Sequence, residues 1–188
     1  MILEYPIEIS VLLGFAVSLT LPFHYGFCMI VLPLYTITSC MKLSRMNNKM
    51  VYLRMPDLKS IYVSQLSQMS FSALMAAILT GINVVLRYGT AITMWNLVLS
   101  VFMYLALYLS ISALAVLTRG KAQFPLIYVS VIIIIALLNT GITIPGMIVS
   151  VNFWRRRNLV YAAAFYGVLA ICYSVLGLAQ TGRSDFYE

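Results

Sequence analysis

The chain has 188 residues, of which 62% are hydrophobic and only 9% charged, with a mean hydropathy of +0.96 and a formal net charge of +7. Ordinary globular domains carry roughly a quarter charged residues, so the composition excludes a water-soluble core and points to a polytopic membrane protein. Cutting the chain at its charges leaves uncharged runs at Ile9 to Met41, Ser60 to Leu86, Tyr88 to Thr118, Ala122 to Trp154 and Asn158 to Gly182, each longer than the roughly 20 residues a helix needs to cross about 30 Å of hydrocarbon.

These runs are expected to be helices, because an open sheet would leave unpaired backbone groups in lipid. A transmembrane barrel would show segments of about ten residues with strict alternation, and "VIIIIALL" does not alternate. The predicted fold is therefore all-α, a single transmembrane domain over residues 1–188 with five to six membrane-spanning helices.

The N-terminal "MILEYPIE" has two glutamates and no basic residue, so the first apolar run is expected to stay as a membrane segment instead of leaving as a signal peptide. As one helix, Ile9 to Met41 would measure about 50 Å. The break "LPFHYGF" allows a hairpin of two short helices with the N-terminus inside, or a single kinked helix with the N-terminus outside.

Next comes "SCMKLSRMNNKMVYLRMPDLKSIYVSQ", Ser39 to Gln65, which holds Lys42, Arg45, Lys49, Arg54 and Lys59 against one acid, Asp57. The positive-inside rule places this segment, with its loop at about 42–59, in the cytoplasm. The following helix reads "SIYVSQLSQMSFSALMAAIL". Its Gln65, Gln68 and Ser72 recur at i, i+3 and i+7, with Ala73, Ala76 and Ala77 further in. That pattern suits helix contact in lipid, or alternatively a substrate path.

Continuing the alternation puts Arg87 outside, a helix over Met94 to Leu117, Arg119 and Lys121 inside, Arg155 to Arg157 outside, and a last helix over Leu159 to Leu178 with an inner C-terminus carrying Arg183. Eight basic residues then lie inside and four outside. Asn139, Gly141, Pro145 and Gly146 break the fifth run, so residues 139–153 are expected either to be re-entrant or to kink a plain helix. Ala163-x-x-x-Gly167 is a packing signal in the last helix.

Chemistry is hard to find in this sequence. No acid or base falls at the centre of a run, which disfavours ion-coupled transport. The single His24 and the scattered Cys28, Cys40 and Cys172 form no metal-ligand cluster, and there is no phosphate-cradling loop, nucleophile elbow or pair of catalytic carboxylates. No catalytic residue, metal, cofactor or nucleic-acid partner is expected, and the chain is not expected to be an enzyme.

The run "MIVLPLYTIT" leading into "SRMNNKMVYLRMPDLKSIYVSQ" and "LSQMSFSALMAAIL" resembles the second helix, cytoplasmic loop and third helix of small type-2 ABC exporter permeases, of the kind found beside bacterial peptide and bacteriocin systems. In that family a proline-containing helix descends, a spaced basic stretch ending in Trp or Tyr follows, and a helix with a polar start rises. Here Arg45, Lys49, Arg54, Lys59 and Tyr62 match, and the resemblance covers Pro22 to about Leu79.

The resemblance implies a permease subunit in the bacterial plasma membrane with a cytoplasmic C-terminus. It would pair with a second permease subunit and a dimeric cytosolic ATPase that hydrolyses the ATP, and export hydrophobic or amphipathic peptides or lipid-like compounds. Arg45 to Lys59 would be the coupling element. Its cations would meet acidic groups of the ATPase or lipid phosphates, and Asp57 would cap a short helix that starts the ascent. Two other classes remain open on the residues alone: a substrate-binding subunit of a vitamin-type importer, and a non-transport immunity or assembly protein. The alternative to a coupling role is that these charges only anchor the loop at an anionic leaflet.

Overall fold

The computed structural model describes residues 14, 16–17, 20, 27–46, 58–88, 93–137 and 156–184, and within them the regular structure is entirely helical. A π-helical turn at Phe27–Val31 leads into α1 (Leu32–Met46). Then follow α2 (Leu58–Tyr88), α3 (Met94–Leu117), α4 (Gln123–Leu137) and α5 (Arg156–Ser184). Pro33 explains the wide turn before α1: it has no N–H to continue a regular ladder, and a π turn absorbs the mismatch. Pro125 sits in the first turn of α4, where a missing donor costs nothing.

Four helices, spanning Phe27–Met46, Leu58–Arg87, Met94–Leu117 and Leu159–Thr181, are long and apolar enough to cross a membrane, and Gln123–Ile134 is a shorter apolar helix. The protein is an all-α polytopic membrane protein. Gly14 lies against Ile30 and Leu34. In one straight helix those positions would be about 24 and 30 Å away, so residues 14–34 do not form a single straight helix. The proposed re-entrant piece, 139–153, lies outside the described residues.

Helix α3 is the axis of the bundle. It packs most extensively on α5 and next on α2, and it also touches α1 and α4. Its inward side carries large residues spaced three and four apart, while Met94, Trp95, Val98 and Phe102 stay exposed. Met103, Tyr104, Leu107, Tyr108, Ile111 and Ala115 are all buried. Against them α2 sets a stripe of small side chains, Ala73, Ala76 and Ala77. Lipid tails are as apolar as leucine, so dispersion at close approach and hydrogen bonds between helices hold such a bundle together. The outward faces carry exposed Phe71, Leu86, Trp95, Ile127 and Ile171, as a lipid-facing surface should.

Helix α3 ends in a tight reversal. Arg119 N–H donates to the Val116 carbonyl at 3.0 Å and Gly120 N–H to the Ala115 carbonyl at 2.9 Å, the paired bonds of a Schellman cap. Arg119 takes the left-handed position (φ 52°) that glycine usually fills, followed by Gly120 at φ 76°. A Cβ on Gly120 would lie 3.4 Å from the Cys40 carbonyl oxygen and from the Ser44 nitrogen, so this turn is seated on the last turns of α1.

Candidate functional site

That contact gathers the charges. The end of α1, the start of α2, the α3–α4 turn and the end of α5 meet in a second core cluster of Cys40, Leu43, Tyr62, Met69, Ala115 and Val116, with Leu66, Ala122 and Leu178 packed against it. Lys42, Arg45, Lys59, Arg119, Lys121 and Arg183 therefore belong to one end of the bundle, while Arg87, Arg156 and Arg157 belong to the other. No acidic residue occurs among the described residues. The segments that sequence alternation assigns to one side of the membrane are thus brought together in space.

The basic stretch is less of a loop than its charge pattern suggests. Lys42 and Arg45 are in the last turns of α1, and Lys59 is the second residue of α2. Lys49, Arg54 and Asp57 lie outside the described residues. Over the described residues Leu58–Tyr88, α2 is one unbroken helix.

Tyr62, one turn into α2, is buried (5% exposed). Its hydroxyl donates to the Ser174 carbonyl of α5 at 3.1 Å and approaches the Tyr173 carbonyl at 3.5 Å. Carbonyls inside a helix are normally shielded by the side chain one turn on. Here that residue is Gly177, and a Cβ built on it would run into the Tyr62 ring and hydroxyl. The phenol thus fills a notch that only glycine provides, and it ties the first turn of α2 to α5.

The polar stripe on α2 divides. Gln65 is buried (6% exposed), Gln68 is exposed and Ser72 is half-buried, so the three residues do not share one environment. Ser72 Oγ donates to the Gln68 carbonyl at 3.3 Å and accepts from Lys42 Nζ at 3.0 Å. Tyr62, Met69, Ala73, Ala76 and Thr80 form the inward row. At Gly167 an added Cβ would meet nothing within 4 Å, so the Ala163-x-x-x-Gly167 pattern marks no close contact there.

Sequence reasoning missed a set of hydroxyl pairs inside the bundle. Tyr35 pairs with Ser112 at 2.7 Å, Tyr108 with Thr80 at 2.8 Å and Tyr128 with Ser110 at 3.0 Å, linking α1, α2 and α4 to α3. Thr80 and Ser110 give their protons to the Ala76 and Leu107 carbonyls, so Tyr108 and Tyr128 must be the donors in their pairs. The signal was present at Tyr104, Tyr108 and Ile111, spaced i, i+4, i+7 within an apolar run. Lys42 was legible in the same way, since it is in helical phase with Tyr35 and Ser39, both buried.

No group of three or more His, Cys, Asp or Glu that could hold a metal occurs among the described residues. The arrangement offers a cationic end tied to the bundle and a packed, uncharged core in which buried hydroxyls pair with one another. Comparison of the sequence with protein-family models finds no match, and comparisons with curated proteins and with solved structures find none either.

Proposed function

We propose that this chain is the membrane-spanning permease subunit of an ATP-driven exporter of hydrophobic or amphipathic peptides or lipid-like compounds. It would act with a second permease subunit and a cytosolic ATPase dimer. The observation that carries the reading is the attachment of Tyr62 to α5. A partner pushing on the basic connection between α1 and α2 would move the start of α2, and the phenol in the Gly177 notch would pass that displacement to α5 and, through α5, to the central α3. Arg45, Lys49, Arg54 and Lys59 would face acidic groups of the ATPase. The excess of cations at this end favours placing it, with the C-terminus, in the cytoplasm. The uncharged interior suits cargo without a fixed charge.

The test is co-purification in mild detergent with ATPase subunits from the same source, comparing the wild-type chain with Lys49→Glu and Arg54→Glu. A complex formed by the wild type and lost in both variants supports the coupling role. A wild-type chain that retains no ATPase ends the exporter reading.

A further inference from the structure

We propose that Lys42 and Ser72 form a binding site for the phosphate of an anionic phospholipid, set in the seam between α1 and α2. Helix α1 runs toward the basic end, and helical side chains tilt toward their own N-terminus, so the Lys42 side chain points back into the span instead of out to the headgroups. Its ammonium donates to Ser72 Oγ at 3.0 Å. Ser72 is fourteen residues into α2, about 21 Å from its start.

The depth can be read from the far end of the same helix. With Arg87 at the opposite border, about 30 Å of hydrocarbon reaches back roughly 20 residues, to Ser67. Ser72 is about five residues, or about 7 Å, inside that border. A lysine near a helix end ordinarily snorkels outward, and an ammonium drawn inward calls for a counter-charge. Ser72 supplies only a neutral oxygen and takes one of three N–H donors. No other partner of Lys42 occurs among the described residues, and none of these residues is acidic.

The surroundings favour a lipid. Helices α1 and α2 touch only sparsely compared with α2 and α3. In the same turns as the pair, Met41 of α1 and Phe71 and Met75 of α2 are exposed apolar side chains, available to an acyl chain. A phosphate at this depth would be reached from the surrounding leaflet with its chains already in hydrocarbon. The site is independent of the exporter reading, and either can fail without the other.

The test is native mass spectrometry of the full-length chain in neutral detergent, titrated with phosphatidylglycerol and, separately, phosphatidylcholine. The wild type should bind the first more tightly. Lys42→Ala and Lys42→Gln should each lose about tenfold of that affinity, the loss expected for a charge-assisted contact. Lys42→Arg should retain most of it, and Lys121→Ala, in the exposed α3–α4 turn, should change it by less than about twofold. Retention of wild-type affinity by Lys42→Gln, with its helicity intact, would overturn the proposal. So would equal binding of the two lipids, or displacement of phosphatidylglycerol by equimolar oleate, which would make the ligand a carboxylate.

Discussion

Tyr62 and Gly177 act as one unit, and their energetics are separable. Gly177→Ala forces a methyl into the phenol and should cost about 1–3 kcal/mol, as overpacking does, lowering the thermal midpoint in detergent. Tyr62→Phe keeps the ring and loses only the bond to the Ser174 carbonyl, about 0.5–1.5 kcal/mol. Tyr62→Ala combined with Gly177→Ala should cost clearly less than the sum of the two single changes, because the methyl then enters space the ring has left. Additive costs would show that the two residues do not share the notch. The interior hydroxyls give a second residue-scale expectation. Tyr166 is fully buried and its hydroxyl has no hydrogen-bond partner among the described residues, so Tyr166→Phe should leave the midpoint unchanged or raise it by the equivalent of about 1 kcal/mol. Thr80→Val should lower it, since the Tyr108 proton loses its acceptor.

At the scale of elements, the α3–α4 reversal depends on two successive left-handed residues. Gly120→Ala at φ 76° should destabilise by about 1–2 kcal/mol, and Arg119→Gly should relieve a similar strain while removing one cation. Both midpoints are read by thermal unfolding in detergent. The helices also show how far hydropathy can be read. The expected helix over Met94 to Leu117 coincides with α3, because both its ends are set by local signals: Thr93, whose side chain accepts from the Asn96 N–H at 3.4 Å, and the Schellman turn. The last helix was expected over Leu159 to Leu178 and runs from Arg156 to Ser184. Hydropathy marks the part in hydrocarbon, whereas the hydrogen-bond ladder continues through the headgroup region where arginine and glutamine are well solvated.

For the whole molecule, the separation of charge predicts orientation. Cysteines introduced at Lys121 and at Arg87, in a chain lacking its native cysteines, should react with a membrane-impermeant maleimide from opposite sides of intact cells, with position 87 labelled and position 121 protected. The reverse pattern would place the basic end outside and remove the ground for a cytosolic partner. Such a result would leave the lipid site at Lys42 standing, because anionic lipid and the α1–α2 seam do not depend on which leaflet is involved.

Composition and the hydropathy pattern determined that this is an all-α membrane protein, because lipid permits only helices and closed barrels and the long apolar runs do not alternate as barrel strands must. The clustering of basic segments was also accessible, since alternation of spans puts their ends on common sides. What only the tertiary structure decided is which polar side chains meet: Tyr62 with α5, Lys42 with Ser72, Tyr108 with Thr80. Hydropathy says how deep a residue sits but not its azimuth toward a particular neighbour. In a bundle without a hydrophobic force between helices, that azimuth is set by close approach of small residues and by individual hydrogen bonds.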